Sequence, residues 1–220
     1  MGSNQKETTS TTDAGPRTGF LDLPPEIRNA IYHLALNSHS ALKIHYFSRE
    51  KIFRVTLVWN PQHSLPWAVT LSTNLLRICR QVHNEATPIL YGSNCFEIHG
   101  QDAQVFLRAI GSSKQFLRHI HYSWPYNKLH YKQAVSLLKY ATRLQRLDLQ
   151  RYGRTAQEHV GALRVLMQAL HKSSGAAGRS ESVVNILHFV PSLSTVDAEE
   201  LAIEARMTKE VRSELQKLLK

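Results

Sequence analysis

The spacing of apolar positions changes several times along this chain, and each change predicts a different element. After a polar stretch at 1–19, Ile27, Ile31, Leu34 and Ala35 recur at helical spacing in "FLDLPPEIRNAIYHLAL", residues 20–36. That predicts an amphipathic helix with these four on one face and Arg28, Asn29 and Tyr32 elsewhere. Asp22 is placed to cap the helix. Pro24 and Pro25 fall in its first turn, where a missing N–H costs nothing and the fixed φ helps, and Glu26 meets the positive end of the dipole. Between 41 and 59 the period shortens. "LKIHYFSREKIFRVTLVW" is rich in aromatic and β-branched residues and predicts two β segments around a turn at 48–51.

Helical spacing returns in "STNLLRICRQVHNEATPILYGSN". Leu75, Cys79, Val82, Ala86 and Ile89 form a single face, with Pro88 expected to kink or end the helix and Gly92 to terminate it. A short strand at 94–99 and a short helix in "DAQVFLRAIG" follow. Past residue 115 one template recurs: Leu117-x-x-Ile120-x-Tyr122, Leu144-x-x-Leu147-x-Leu149 and Val184-x-x-Leu187-x-Phe189. Each copy precedes an amphipathic stretch, at 129–143, 156–172 and 197–219, and two of these open with capping-box spacing, Thr155 with Glu158 and Asp197 with Glu200. Strand–helix units in series predict parallel strands with helices on a face, the first two copies being neighbours joined by one crossover.

The fold class expected is therefore α+β. Residues 1–19 read as a disordered tail, 20–112 as a helical region with a β insertion, and 113–220 as an irregular strand–helix array.

Composition narrows the class. With 42% hydrophobic residues the 220-residue chain can bury a sizeable core, and no apolar run is long enough for a membrane span. No apolar signal-peptide core is expected at the N-terminus. Two cysteines, Cys79 and Cys95, exclude a disulfide framework and fit the cytoplasm or nucleus. The net charge of +10 is uneven: segment 101–172 holds 12 Lys and Arg against 3 Asp and Glu. A localised excess attracts acidic partners or nucleic acid.

Catalytic chemistry finds no foothold. The twelve histidines show no zinc spacing, neither cysteine has a redox or nucleophile signature, and no phosphate-binding Gly-rich loop or Gly-x-Ser-x-Gly turn occurs. No enzyme activity, metal or cofactor is expected.

Two stretches together resemble the F-box-like family of filamentous fungi: the Leu-Pro-x-Glu-Ile-Arg start at 23–28, and the Leu-x-x-Cys-Arg-Gln-x-x-x-Glu-Ala helix at 76–86 closed by Tyr-Gly-Ser-Asn at 91–94. Here the β insertion splits the module. The resemblance implies a docking site for a Skp-type adaptor of a cullin–RING ubiquitin ligase, with Leu23, Pro24, Pro25, Ile27 and Ile31 as its adaptor-facing edge. The same residues also suit a helix whose apolar side chains all enter the domain's own core. The Leu-x-x-Leu-x-Leu strands are similar to leucine-rich repeats, which implies a substrate-binding half and a function as a non-catalytic interaction module.

A second surface is read from the residues themselves. "HIHYSWPYNKLHYK" interleaves aromatics with bases just past a predicted strand, where α/β folds place binding sites. Tyr122, Trp124, Tyr126, Lys128, Lys132, Arg151 and Arg154 are expected to line a surface for an acidic or mixed protein segment. The alternative is a nucleic-acid site in the same basic segment, using stacking and phosphate contacts.

Overall fold

The computed structural model of this chain describes residues 19–57, 71–123, 128–151, 155–176, 182–191 and 198–220. Helices and one mixed sheet share the fold, which is α+β. Six strands lie in the order β2-β1-β3-β4-β5-β6: β1 (Leu42–Phe47), β2 (Ile52–Leu57), β3 (Cys95–His99), β4 (His119–Ser123), β5 (Arg146–Leu149) and β6 (Leu187–Phe189). β2 pairs antiparallel with β1 as a hairpin, and every other pairing is parallel. The helices are α1 (Pro25–Leu36), α2 (Arg80–Ser93), α3 (Asp102–Ala109), α4 (Lys128–Leu138), α5 (Ala156–Ala176) and α6 (Ala198–Leu218).

Strand order runs one way from β1 through β6. Since parallel crossovers are right-handed, successive connections in one direction put their helices on the same side of the sheet. Register and burial agree. Leu42, Phe96, Ile120, Leu147 and Leu187 form one row across five strands, and Ile44, Ile98, Tyr122, Leu149 and Phe189 form a second. Both rows are buried in one core with side chains of α3, α4, α5 and α6. The alternation of a strand sends the residues between them to the opposite face.

A smaller core joins α1 to α2 through Tyr32, Leu36, Val82, Ala86 and Leu90. Asn94 ties the C-terminal ends of these helices, donating to Leu36 O and Leu90 O, both at 2.8 Å.

Several local expectations are corrected. Asp22 does not cap α1: Pro24 holds the N-cap position, and the Asp22 carboxylate accepts the Gly19 N–H at 2.7 Å inside a preceding 3-10 turn. α2 runs through Pro88 and Gly92 to Ser93. The stretch before it is a separate 3-10 turn, Thr73–Arg77, broken from α2 by the extended Cys79 (φ −159°, ψ 170°). Leu75 and Leu76 of this turn both pack against the smaller core. Of the two expected capping boxes, Thr155 N donates to Glu158 Oε2 at 3.5 Å, and Asp197 lies outside the described residues, as do 1–18.

Candidate functional site

Arg28, Tyr32 and Leu36 set the orientation of α1, because these three, one turn apart, are its buried residues. Arg28 donates from Nε and Nη2 to the two Glu85 carboxylate oxygens at 2.9 and 2.7 Å, and from Nη1 to Leu21 O and Leu23 O at 3.1 and 2.5 Å. The Tyr32 hydroxyl donates to Glu85 Oε2 at 2.9 Å, and Gln81 donates to Oε1 at 3.0 Å. The Arg28 hydrogen bonds, with those of Gln81 and Tyr32, hold the Glu85 carboxyl down at about 2. The two sequence motifs thus meet in one forked ion pair.

This anchoring inverts the expected amphipathicity. The four residues assigned to an inward face split: Ala35 packs against the smaller core, Ile31 is half-buried, Ile27 is 49% exposed and Leu34 is 86% exposed. Arginine and tyrosine face inwards because Glu85 offers them partners that no apolar residue could use. Of the expected adaptor edge, Leu23 and Ile31 are half-buried while Pro24, Pro25 and Ile27 are exposed. Pro24, Ile27, Ile31 and Leu34 step by three, four and three, which makes one stripe along α1. Leu34, and Ile78 at 68% exposure, are exposed apolar residues beyond the expected contact edge. Each is an apolar side chain at a position that burial leaves unexplained.

The second expected surface is only partly assembled. Strands β4 and β5 are adjacent and parallel, and Gln150 N donates to Tyr122 O at 3.0 Å where they end. Tyr122 itself is a correction. It is 1% exposed, because a residue two past Ile120 shares its helix-covered face, and its hydroxyl donates to Gly100 O at 3.2 Å. It packs against Tyr131, also in the core, with ring centroids 5.8 Å apart. Lys128 and Lys132 are exposed on α4. Arg151 is half-buried and pairs with Glu204 of α6 at 3.1 Å. Burial pushes the Glu204 carboxyl up, against the pull of Arg151. Trp124, Tyr126 and Arg154 lie outside the described residues.

The bases of 101–172 are dispersed among the described elements. Lys114 is buried and donates to Leu107 O at 2.8 Å, Arg146 pairs with Asp148 at 2.9 Å, and Arg164 and Lys172 are exposed on α5.

His159 sits in the large core, its ring 4.5 Å from Phe189, whereas Cys79 lines a cleft with Arg77, Arg80 and His83 beside the smaller core. Cys95 lies across from His119, but burial and the nearby Asp148 and Glu97 charges push its thiol up to about 12, which disfavours the thiolate. Among the described residues no group of three or more His, Cys, Asp or Glu is arranged to hold a metal, and no helix is long and apolar enough to cross a membrane.

No curated protein and no solved structure matches this chain. The family described as a domain of unknown function, DUF7730, matches residues 14–182, most of the chain, and the chain belongs to that family.

Proposed function

We propose that this protein is a non-catalytic interaction module in which the outer face of α1 docks a partner protein, in the manner of an F-box meeting a Skp-type adaptor of a cullin–RING ubiquitin ligase. One observation carries the reading. A helix anchored by a forked ion pair on its inner side keeps Pro24, Ile27 and Leu34 in water on its outer side. A solvated helix face ordinarily carries polar residues, and an apolar stripe left in water suits a surface that is covered in a complex.

From Pro24 to Leu34 the stripe runs about 15 Å at 1.5 Å per residue, long enough for a helix or groove of the partner to lie along it. Full burial of an aliphatic side chain contributes roughly 1.5–3 kcal/mol, so Ile27 and Leu34 together support an affinity difference of about two orders of magnitude.

The test is a titration of the purified chain with a recombinant Skp-type adaptor, followed by calorimetry. The reading expects a saturable complex that is weakened about a hundredfold in the double variant Ile27→Asp, Leu34→Asp. Absence of any complex with the wild-type chain at about 100 μM, or equal affinity in the double variant, overturns it.

A further inference from the structure

The sheet has a second face, and among the described residues no helix packs on it. The helices α3 to α6 bury their apolar side chains on the side of Leu42, Phe96 and Ile120. The residues between those positions form rows of their own. One residue from each of five strands stands at the same register: Lys43, Glu97, His121, Asp148 and His188. Flanking rows hold Cys95, His119 and Arg146 on one side, and Arg54, His45, His99 and Ser123 on the other.

Charge on this face is sorted by depth. The two acids of the central row are withdrawn, with Glu97 2% and Asp148 5% exposed. Basic groups surround each. Lys43 Nζ and His99 Nε2 stand 3.7 and 3.1 Å from Glu97 Oε1, and His119 and Arg146 each reach Asp148 at 2.9 Å. The bases lie shallower than the acids: the Lys43, His119 and Arg146 side chains are 31, 35 and 52% exposed against 3% for Glu97 and 8% for Asp148, while His99 is 16% exposed. Two further acids reach the surface: Glu50, half exposed and 3.0 Å from Arg54, and Asp102, which shares a cleft with Lys43.

Between β1, β3 and the start of α3 lies a cleft of about 270 Å³ lined by Lys43, His45, His99, Gln101 and Asp102. At the β2 corner Phe47 and Ile52 are paired and both exposed, with the Arg54 guanidinium 4.5 Å from the Phe47 ring centroid.

We infer that this open face binds an acidic polypeptide segment, with carboxylates directed at the Lys43–His45 cleft and at Arg54 and Arg146, and an apolar side chain of the segment against Phe47 and Ile52. The charge sorting carries the inference: at the centre of the face an approaching chain meets Lys43, His119 and Arg146 before Glu97 and Asp148, and it meets the acids Glu50 and Asp102 only beside Arg54 and in the cleft. Same-face residues recur about every 7 Å along a strand, and strands stand about 4.8 Å apart, so the central row is about 19 Å wide. An extended segment with acidic residues at alternate positions has that same 7 Å repeat.

A nucleic-acid backbone fits less well. Its continuous line of phosphates would lie over Glu97 and Asp148, whereas a peptide can place its charges selectively. The surface is separate from α1, so it stands or falls independently of the adaptor reading.

The experiment uses the full chain and a fluorescein-labelled peptide of about ten residues, with Glu at alternate positions and one Phe, read by anisotropy near neutral pH at low ionic strength. Saturable binding is expected, weakened at least about tenfold when Gln replaces every Glu of the peptide. Two protein variants are compared, Lys43→Gln, and Phe47→Ser with Arg54→Ser; the second changes only exposed residues and keeps the test if the first fails to fold. Each is expected to weaken binding about tenfold, while Arg164→Ser with Lys172→Ser on α5 changes it less than about twofold. Equal losses in the face variants and the α5 variant would show attraction by net charge alone and overturn the inference. So would no saturable binding, or tighter binding of a single-stranded oligonucleotide lost in the same face variants.

Discussion

Arg28 and Glu85 are 57 residues apart in sequence and 2.7 Å apart in the fold, and this pair fixes which side of α1 faces inwards. Its contribution depends on pH in a defined direction. The Glu85 carboxyl is held at about 2, chiefly by the Arg28 hydrogen bonds, and so below the ordinary value of 4.5 that it regains on unfolding. A depressed acid stabilises the fold above its unfolded pKa and loses that effect as pH falls towards its folded one. Wild-type stability is therefore expected to drop between pH 4.5 and about 2. Urea unfolding across that range is expected to show a shallower drop in Glu85→Gln, with Glu97 and Asp148, also held low, supplying the remainder. An unchanged slope would remove the pair from this role.

The inverted face of α1 makes a second prediction that involves no partner. Leu36 is fully buried and Leu34, two residues earlier, is 86% exposed. Leu36→Ala is expected to lose about 2–5 kcal/mol of stability, the usual range for a buried leucine. Ile27→Ser with Leu34→Ser is expected to change stability by no more than about 0.5 kcal/mol. Equilibrium denaturation of the two variants checks this, and a large loss in the double variant would mean that the stripe is part of the core.

Much of the fold was legible because period and turn chemistry agree there. The hairpin, the 95–99 strand and the three Leu-x-x-Leu-x-Leu strands stand close to where alternation and β-branching put them. The orientation of α1 was not. Periodicity identifies an apolar stripe but does not say which side a neighbour will satisfy, and Glu85 lies far along the chain. For the same reason Tyr122 departs from the expected surface: aromatic residues serve cores and interfaces alike, and only its parity with Ile120 points inwards. The polar rows of the sheet were within reach of the sequence. Lys43-x-His45, Glu97-x-His99 and His119-x-His121 are the alternate positions of their strands, yet only register shows that they stand in line.

The two cysteines are expected to differ in reactivity. Burial, with Asp148 and Glu97 nearby, pushes the Cys95 thiol up to about 12. Only about one part in 10⁴ would then be thiolate at pH 8. Iodoacetamide labelling of the native chain at that pH, followed by peptide mass spectrometry, is expected to leave Cys95 unmodified over hours and to label it after denaturation. Rapid labelling of Cys95 in the folded chain would contradict the buried, acid-flanked setting.

The last strand of a parallel series exposes a row of unpaired backbone groups, a template for pairing with another chain. Here α6 covers part of it. Arg212 donates from Nε and Nη2 to Leu187 O at 2.9 and 2.6 Å, and from Nη2 to Asn185 O at 2.8 Å. Thr208 Oγ1 accepts the Phe189 N–H at 2.9 Å. One helix thus supplies both a donor and an acceptor to the outer edge of β6, as a further strand would. Removing the donor leaves the Leu187 carbonyl without that partner, at a cost of about 1–3 kcal/mol, and uncovers a site for strand addition. Arg212→Ala is expected to be less stable and to self-associate at concentrations where the wild-type chain keeps its size. Arg212→Lys, which keeps the charge but not the fork, should fall between the two. Light scattering coupled to size exclusion, run as a concentration series, decides it. If Arg212→Ala elutes as wild type does at every concentration, the edge is protected by something other than Arg212.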